Sequence, residues 1–125
     1  MLDTHALIWW LTDDARLGRR ADIALRSTDN EVLVSAVSAY EIAQKYRLGK
    51  LPEVEALATG FATEIAQEGF VGLAVTIADA QFAGQMENAH RDPFDRLLIA
   101  QSLLNGLTVV SNERVFDTFG VSRLW

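Results

Sequence analysis

Apolar positions along this chain alternate between short unbroken runs and spaced patterns, and the alternation predicts strands interleaved with helices. The chain opens almost directly on Asp3, which leaves little room for a first strand, and Thr4 to Leu11 then reads as a short apolar helix. Arg19 to Ser27 reads as a second helix. Glu31 to Ser35 (EVLVS) is β-rich and apolar, the signature of a buried strand. Ser38 to Leu48 is helical, with Ala39, Ile42, Ala43 and Tyr46 on one face and Gly49 as its stop. Val54, Leu57, Ala58, Phe61, Ala62, Ile65 and Ala66 follow the i, i+3, i+4, i+7 spacing of an amphipathic helix. Val71 to Val75 is the next strand, and Thr76 opens a helix reaching about Asn88. After a His90–Arg91 loop, Asp92-Pro93 starts a helix that Asn105-Gly106 ends. Leu107 to Ser111 and Val121 to Trp125 read as the last strands.

This order is that of an α/β domain with a parallel sheet covered by helices and right-handed crossovers. A length of 125 residues suits one domain over the whole chain, and 50% hydrophobic with 22% charged residues suits a packed core. The absence of cysteine excludes a disulfide framework, a thiolate nucleophile and a Cys-rich zinc site. With no signal peptide and no apolar stretch long enough for a bilayer, the expected location is the cytoplasm, away from membranes. A formal net charge of -6 is not the footprint of a protein that grips nucleic acid by bulk charge.

The chemistry is carried by four acids that each fall near a strand-to-helix junction: Asp3, Glu41, Asp95 and Glu113. In an open parallel sheet those junctions share the carboxyl edge, where ligands bind. Clustered carboxylates raise one another's pKa unless a cation intervenes, and an oxygen-only set suits Mg²⁺ or Mn²⁺. Each acid also has a structural reading. Asp3 can cap a helix, and Glu41 can close a capping box with Ser38 or pair with Lys45. Asp92-Pro93-Phe94-Asp95 reads as a cap, a first-turn proline and a box-like acid, and Thr76 with Asp79 reads as capping alone. Capping does not explain why three strands each lead into an acid. His5 and His90 are the only histidines, and neither a Ser-His-Asp spacing, a His-Glu-x-x-His motif nor a Gly-rich phosphate loop is present.

MLDTHALIWWL, VSAVSAYEIAQKYRLGKL and HRDPFDRLLIAQSLLNGLTVVSNERVFDTFGV together resemble the acid-bearing segments of PIN-domain ribonuclease toxins of the VapC type, over nearly the whole length. The resemblance implies a PIN-like fold with an acidic site at the carboxyl edge of the strands. It implies catalytic roles for Asp3, Glu41, Asp95 and Glu113, with Asp3 and Asp95 as principal ligands of Mg²⁺ or Mn²⁺. Asp92 and Ser111 would support them, spacing favouring Asp95 over Asp92 as the direct ligand. Two departures stand out: few residues precede the first acid, and Glu113 occupies a place where aspartate is more usual. The implied activity is endoribonucleolytic, leaving a 5′-phosphate and a 3′-hydroxyl, with transfer RNA a frequent target of the family. Arg96 and Lys45 are the candidate RNA contacts. The implied partners are a VapB-type antitoxin and a second copy of the chain. The other reading of the same residues is a non-catalytic PIN-fold module that binds nucleic acid or protein.

Overall fold

A computed structural model describes residues 1–87 and 90–125. The chain forms α1 (Thr4–Leu11), α2 (Arg19–Arg26), β1 (Leu33–Ser35), α3 (Ala36–Arg47), a 3-10 turn (Pro52–Val54), α4 (Glu55–Gln67), β2 (Val71–Leu73), α5 (Ile77–Gln85), α6 (Pro93–Asn105), β3 (Val109–Val110), α7 (Val115–Thr118) and β4 (Arg123–Leu124). β1 pairs in parallel with β2, and β3 with β4. Leu2 joins the two pairs, bridging Val34 on one side and Val110 on the other, both in parallel. The hydrogen bonds show how short this middle strand is: Leu2 N donates to Leu33 O at 2.9 Å, Asp3 N to Val110 O at 3.1 Å, and Val110 N to Met1 O at 2.8 Å.

Neighbouring residues in these strands enter different cores, as a period of two requires. Leu2, Val34 and Val110 pack with Ala6, Leu7, Leu25, Ile42, Leu57 and Ile65, drawn from α1 to α4. Met1, Leu33 and Val109 pack instead with Val37, Leu98, Ile99 and Phe116. The strands therefore divide two apolar layers. α3 contributes Val37 to one and Ile42 to the other, because it leaves β1 directly and straddles the strand ends.

The paired stretches are shorter than the apolar runs: Ser111 is buried just past β3, whereas Ala74 and Val75 past β2 are exposed. Ser35 ends β1 and is at once the cap of α3: its Oγ accepts from Val37 N at 3.0 Å. α3 thus begins at Ala36, two residues before the sequence places its start at Ser38. The capping box expected between Ser38 and Glu41 does not form. The inward residues of α3 are Val37, Ser38, Glu41 and Ile42, while Ala43 is exposed. The Ser35 hydroxyl also donates to Gln101 Oε1 at 2.6 Å, and Gln101 Nε2 donates to Ala74 O at 3.0 Å. This buried amide ties α6 to the ends of β1 and β2.

Other signals act as read. Thr76 and Asp79 form a reciprocal capping box on α5. The expected end of that helix at Asn88 lies outside the described residues, and the helix closes at Gln85. Gly49 (φ +70°) follows the end of α3, and Gly106 (φ +63°) ends α6, where a left-handed backbone favours glycine. Of the adjacent tryptophans, Trp9 is buried against His5 and Trp125, while Trp10 donates to Glu68 at 2.7 Å and packs near Phe70.

Candidate active site

Four separate segments deliver acids to one hollow. A cavity of about 270 Å³ is lined by Asp3, Thr4, His5, Glu41, Lys45, Asp92, Asp95, Leu98 and Glu113. Two hollows of about 340 Å³ lie elsewhere, one among Met1, Val32 and Leu107, the other beside Trp9 and Trp10. They are larger, but neither contains any of these four acids, and the chemistry favours the smaller cavity.

Asp3 stands where the middle strand gives way to α1. Its Oδ1 accepts from Ala6 N at 2.6 Å, so it caps the helix while its residue is almost wholly buried. Burial pushes its carboxyl above the usual carboxylate range, and the charge of Asp95 adds to the rise. A hydrogen bond from the Ser111 side chain, the Ala6 amide and the His5 charge oppose it. Ser111, expected as a support, is buried, and its Oγ accepts from Glu113 N at 2.9 Å.

Glu41 is buried on α3 and held from two sides. Thr4 Oγ1 donates to its Oε2 at 2.6 Å, and Lys45 Nζ reaches its Oε1 at 2.6 Å. Thr4 Oγ1 also lies 3.0 Å from Ser38 Oγ. Sequence reasoning passed over Thr4. The one available signal was its position directly after the first acid.

Asp95 sits in the first turn of α6. Burial raises its carboxyl above the usual range, with Asp92 and Glu41 pushing the same way and His90 opposing. Its Oδ2 lies 2.8 Å from His90 Nε2. Asp92 is the cap of α6, its Oδ1 accepting from Phe94 N at 2.9 Å and Asp95 N at 3.4 Å. One oxygen of Asp92 is therefore committed to the helix end. Glu113 lines the cavity from an exposed position before α7.

The basic residues divide. Lys45 lines the cavity and is paired with Glu41. Arg96, expected to contact RNA, is not among the residues lining it and is engaged by backbone carbonyls. Its Nε donates to Ala83 O at 2.9 Å, its Nη1 to His90 O at 2.9 Å, and its Nη2 to Met86 O. The guanidinium points back across the α5–α6 connection because three carbonyls there need donors.

Among the described residues, no three acids or histidines form a ready-made metal cage. The donor set nonetheless fits a hard divalent cation. It is oxygen-rich, and burial makes Asp3 and Asp95 harder to ionise, with the charge of Asp95 adding to the effect on Asp3 and those of Asp92 and Glu41 adding to that on Asp95. Mg²⁺ characteristically takes only one or two carboxylates directly and keeps waters elsewhere.

The PIN domain family profile matches residues 1–121. The chain belongs to the PIN domain family. PIN domains are typically metal-dependent nucleases, and a nuclease-type hydrolase is the general activity this membership supports. No curated protein matches the sequence. Among the described residues of this PIN domain, no helix is long and apolar enough to cross a membrane.

Proposed function

We propose that this PIN domain is an Mg²⁺- or Mn²⁺-dependent endoribonuclease of the VapC toxin type, silenced by a cognate antitoxin. The observation that carries this reading is the convergence of Asp3, Glu41, Asp95 and Glu113 on one small cavity from positions 110 residues apart in sequence. Asp3 and Asp95 would hold the metal. Glu41 and Glu113 would hold ordered water or a second ion, Ser111 would fix Asp3, and Asp92 would fix the end of α6. A bound divalent ion supplies charge neutralisation at the phosphate and a more acidic water at neutral pH. The chain's own residues perform the rest. Lys45 places a positive charge at the cavity wall where a phosphate can approach, and Glu41 keeps that ammonium in place. Thr4 keeps Glu41 from rotating out of the wall.

The acidic cavity also fits the arginine or lysine of an inhibitory partner, which is how an antitoxin would silence it, and a chain of net charge -6 suits a basic partner. Self-association as a homodimer belongs to the same reading. The alternative, a non-catalytic binding module, draws on the engagement of Glu41 by Lys45 and of Asp95 by His90, which leaves no ready-made cage.

Incubating the purified chain with total bacterial RNA and Mn²⁺ or Mg²⁺, beside Asp3→Asn and Asp95→Asn, decides between the two. Metal-dependent cutting that both substitutions abolish is the expected result. A folded wild-type chain that cuts no RNA with either metal overturns the nuclease reading in favour of the module. Addition of the antitoxin should then stop cleavage, and undiminished cutting at saturation would sink the toxin assignment.

A further inference from the structure

The segment His90-Arg91-Asp92-Pro93-Phe94-Asp95-Arg96 closes on itself. Asp92 caps α6 and Pro93 occupies its first turn, which sets where Asp95 and Arg96 emerge. Arg96 then reaches back and donates from Nη1 to the carbonyl of His90 at 2.9 Å. The His90 ring in turn meets Asp95 Oδ2 through Nε2 at 2.8 Å. On its other side the ring rests edge-on to Phe119, with centroids 6.4 Å apart and planes at 73°. His90 is thus held through its carbonyl, its ring contact with Phe119 and its Nε2.

The direction of this contact matters. Asp95 lines the acidic cavity and His90 does not, so the imidazole approaches the carboxylate from outside. When Asp95 is ionised its carboxylate only accepts hydrogen bonds, and Nε2 is then the donor. With Oδ2 engaged by His90, Oδ1 accepts no hydrogen bond from the described residues and is the oxygen left for a cation.

We infer that His90 is the positioning residue for Asp95, orienting its carboxylate for a divalent cation, and that Arg96 holds His90 in place for this task. This inference rests on the metal-dependent reading proposed above. Groups hydrogen-bonded to a metal's ligands commonly set a tenfold to hundredfold share of affinity, about the range expected here.

Calorimetric titration of the metal-free chain with Mn²⁺ tests it. His90→Phe keeps a ring against Phe119 and removes the donor. It should weaken Mn²⁺ binding about tenfold or more. His90→Gln, which restores an N–H donor, should recover most of that loss. His90→Asn is too short to reach Oδ2 and well suited to a loop, so it gives the same reading should the Phe variant fail to fold. Wild-type Mn²⁺ affinity in the folded His90→Phe or His90→Asn chain overturns the inference while leaving the nuclease reading intact. Absence of Mn²⁺ binding by the wild-type chain overturns both.

Discussion

Thr4 Oγ1 donates to Glu41 Oε2 across 2.6 Å, joining the residue after the first acid to the second acid, 37 positions away in sequence. Both residues are buried. Thr4→Val keeps the shape and deletes the hydroxyl, leaving Glu41 and Ser38 short of a partner. Leaving a buried polar group unsatisfied costs about 1–3 kcal/mol. Urea denaturation should show a loss in that range, and RNA cleavage should fall further than the change in folded fraction accounts for, since Glu41 loses its anchor.

Asp3 gives a prediction of opposite sign for stability. Its carboxyl is raised above 3.8 by burial, so below pH 3.8 the folded and unfolded chains both carry the proton. As pH climbs past that value the unfolded chain ionises first, and stability falls until the folded carboxyl ionises as well. Above that pH the metal-free protein bears the penalty. Asn caps helices about as well as Asp and carries no charge. Metal-free Asp3→Asn should therefore melt at or above the wild-type temperature at pH 7, with the gain shrinking towards pH 3.8. A lower melting temperature at pH 7 and an unchanged gap under acid conditions would contradict this.

Arg96→Met should behave as a folding defect. Three carbonyls lose charge-assisted donors at the α5–α6 connection. A loss of about 2–4 kcal/mol is expected from hydrogen bonds of this type, given that relaxation recovers part of their sum. Arg96→Lys should not rescue it, because a single ammonium cannot reproduce the guanidinium fork. Chemical denaturation of both variants checks the point.

Lys45→Met should separate from Arg96→Met in kinetics. Lys45 is 30% exposed at the cavity wall but Glu41 only 10%, so removing the ammonium leaves a buried carboxylate held by Thr4 alone. The substitution should lower the melting temperature, as Thr4→Val should. The KM for RNA should rise, and its dependence on salt should flatten by roughly one phosphate contact.

Helix ends and glycine stops were the most legible parts of this chain. Asp92, Thr76, Gly49 and Gly106 act locally, so their chemistry is visible within a few neighbouring residues. The acids Asp3, Glu41, Asp95 and Glu113 were identifiable because each follows an apolar run, and the structure places all four on one cavity. What the residues around Glu41 could not show was its release from capping. Ser35 and Ser38 are both competent caps, and the choice depended on Gln101, 66 positions away from Ser35, which accepts the Ser35 hydroxyl. The partners of Arg96 were hidden for a similar reason. An arginine beside an acid suits a phosphate, and only the fold shows three carbonyls within its reach. Strand ends were less legible: Ser111, just past β3, is buried and its N donates to Leu124 O, whereas Ala74 and Val75, which read as strand, lie exposed beyond β2.

Leu2 occupies the middle of the strand array, between residues 34 and 110. Leu2 is therefore among the last positions to be completed as structure, since one of its two neighbours is synthesised long after it. Pairings this distant close late, after local helices have formed. Until residue 110 has left the ribosome, Asp3 has no Val110 carbonyl for its backbone and no Ser111 for its side chain. The acids then remain dispersed along a growing chain. On the nuclease reading proposed above, a site built this way stays incomplete until residues 110 and 111 have joined the fold.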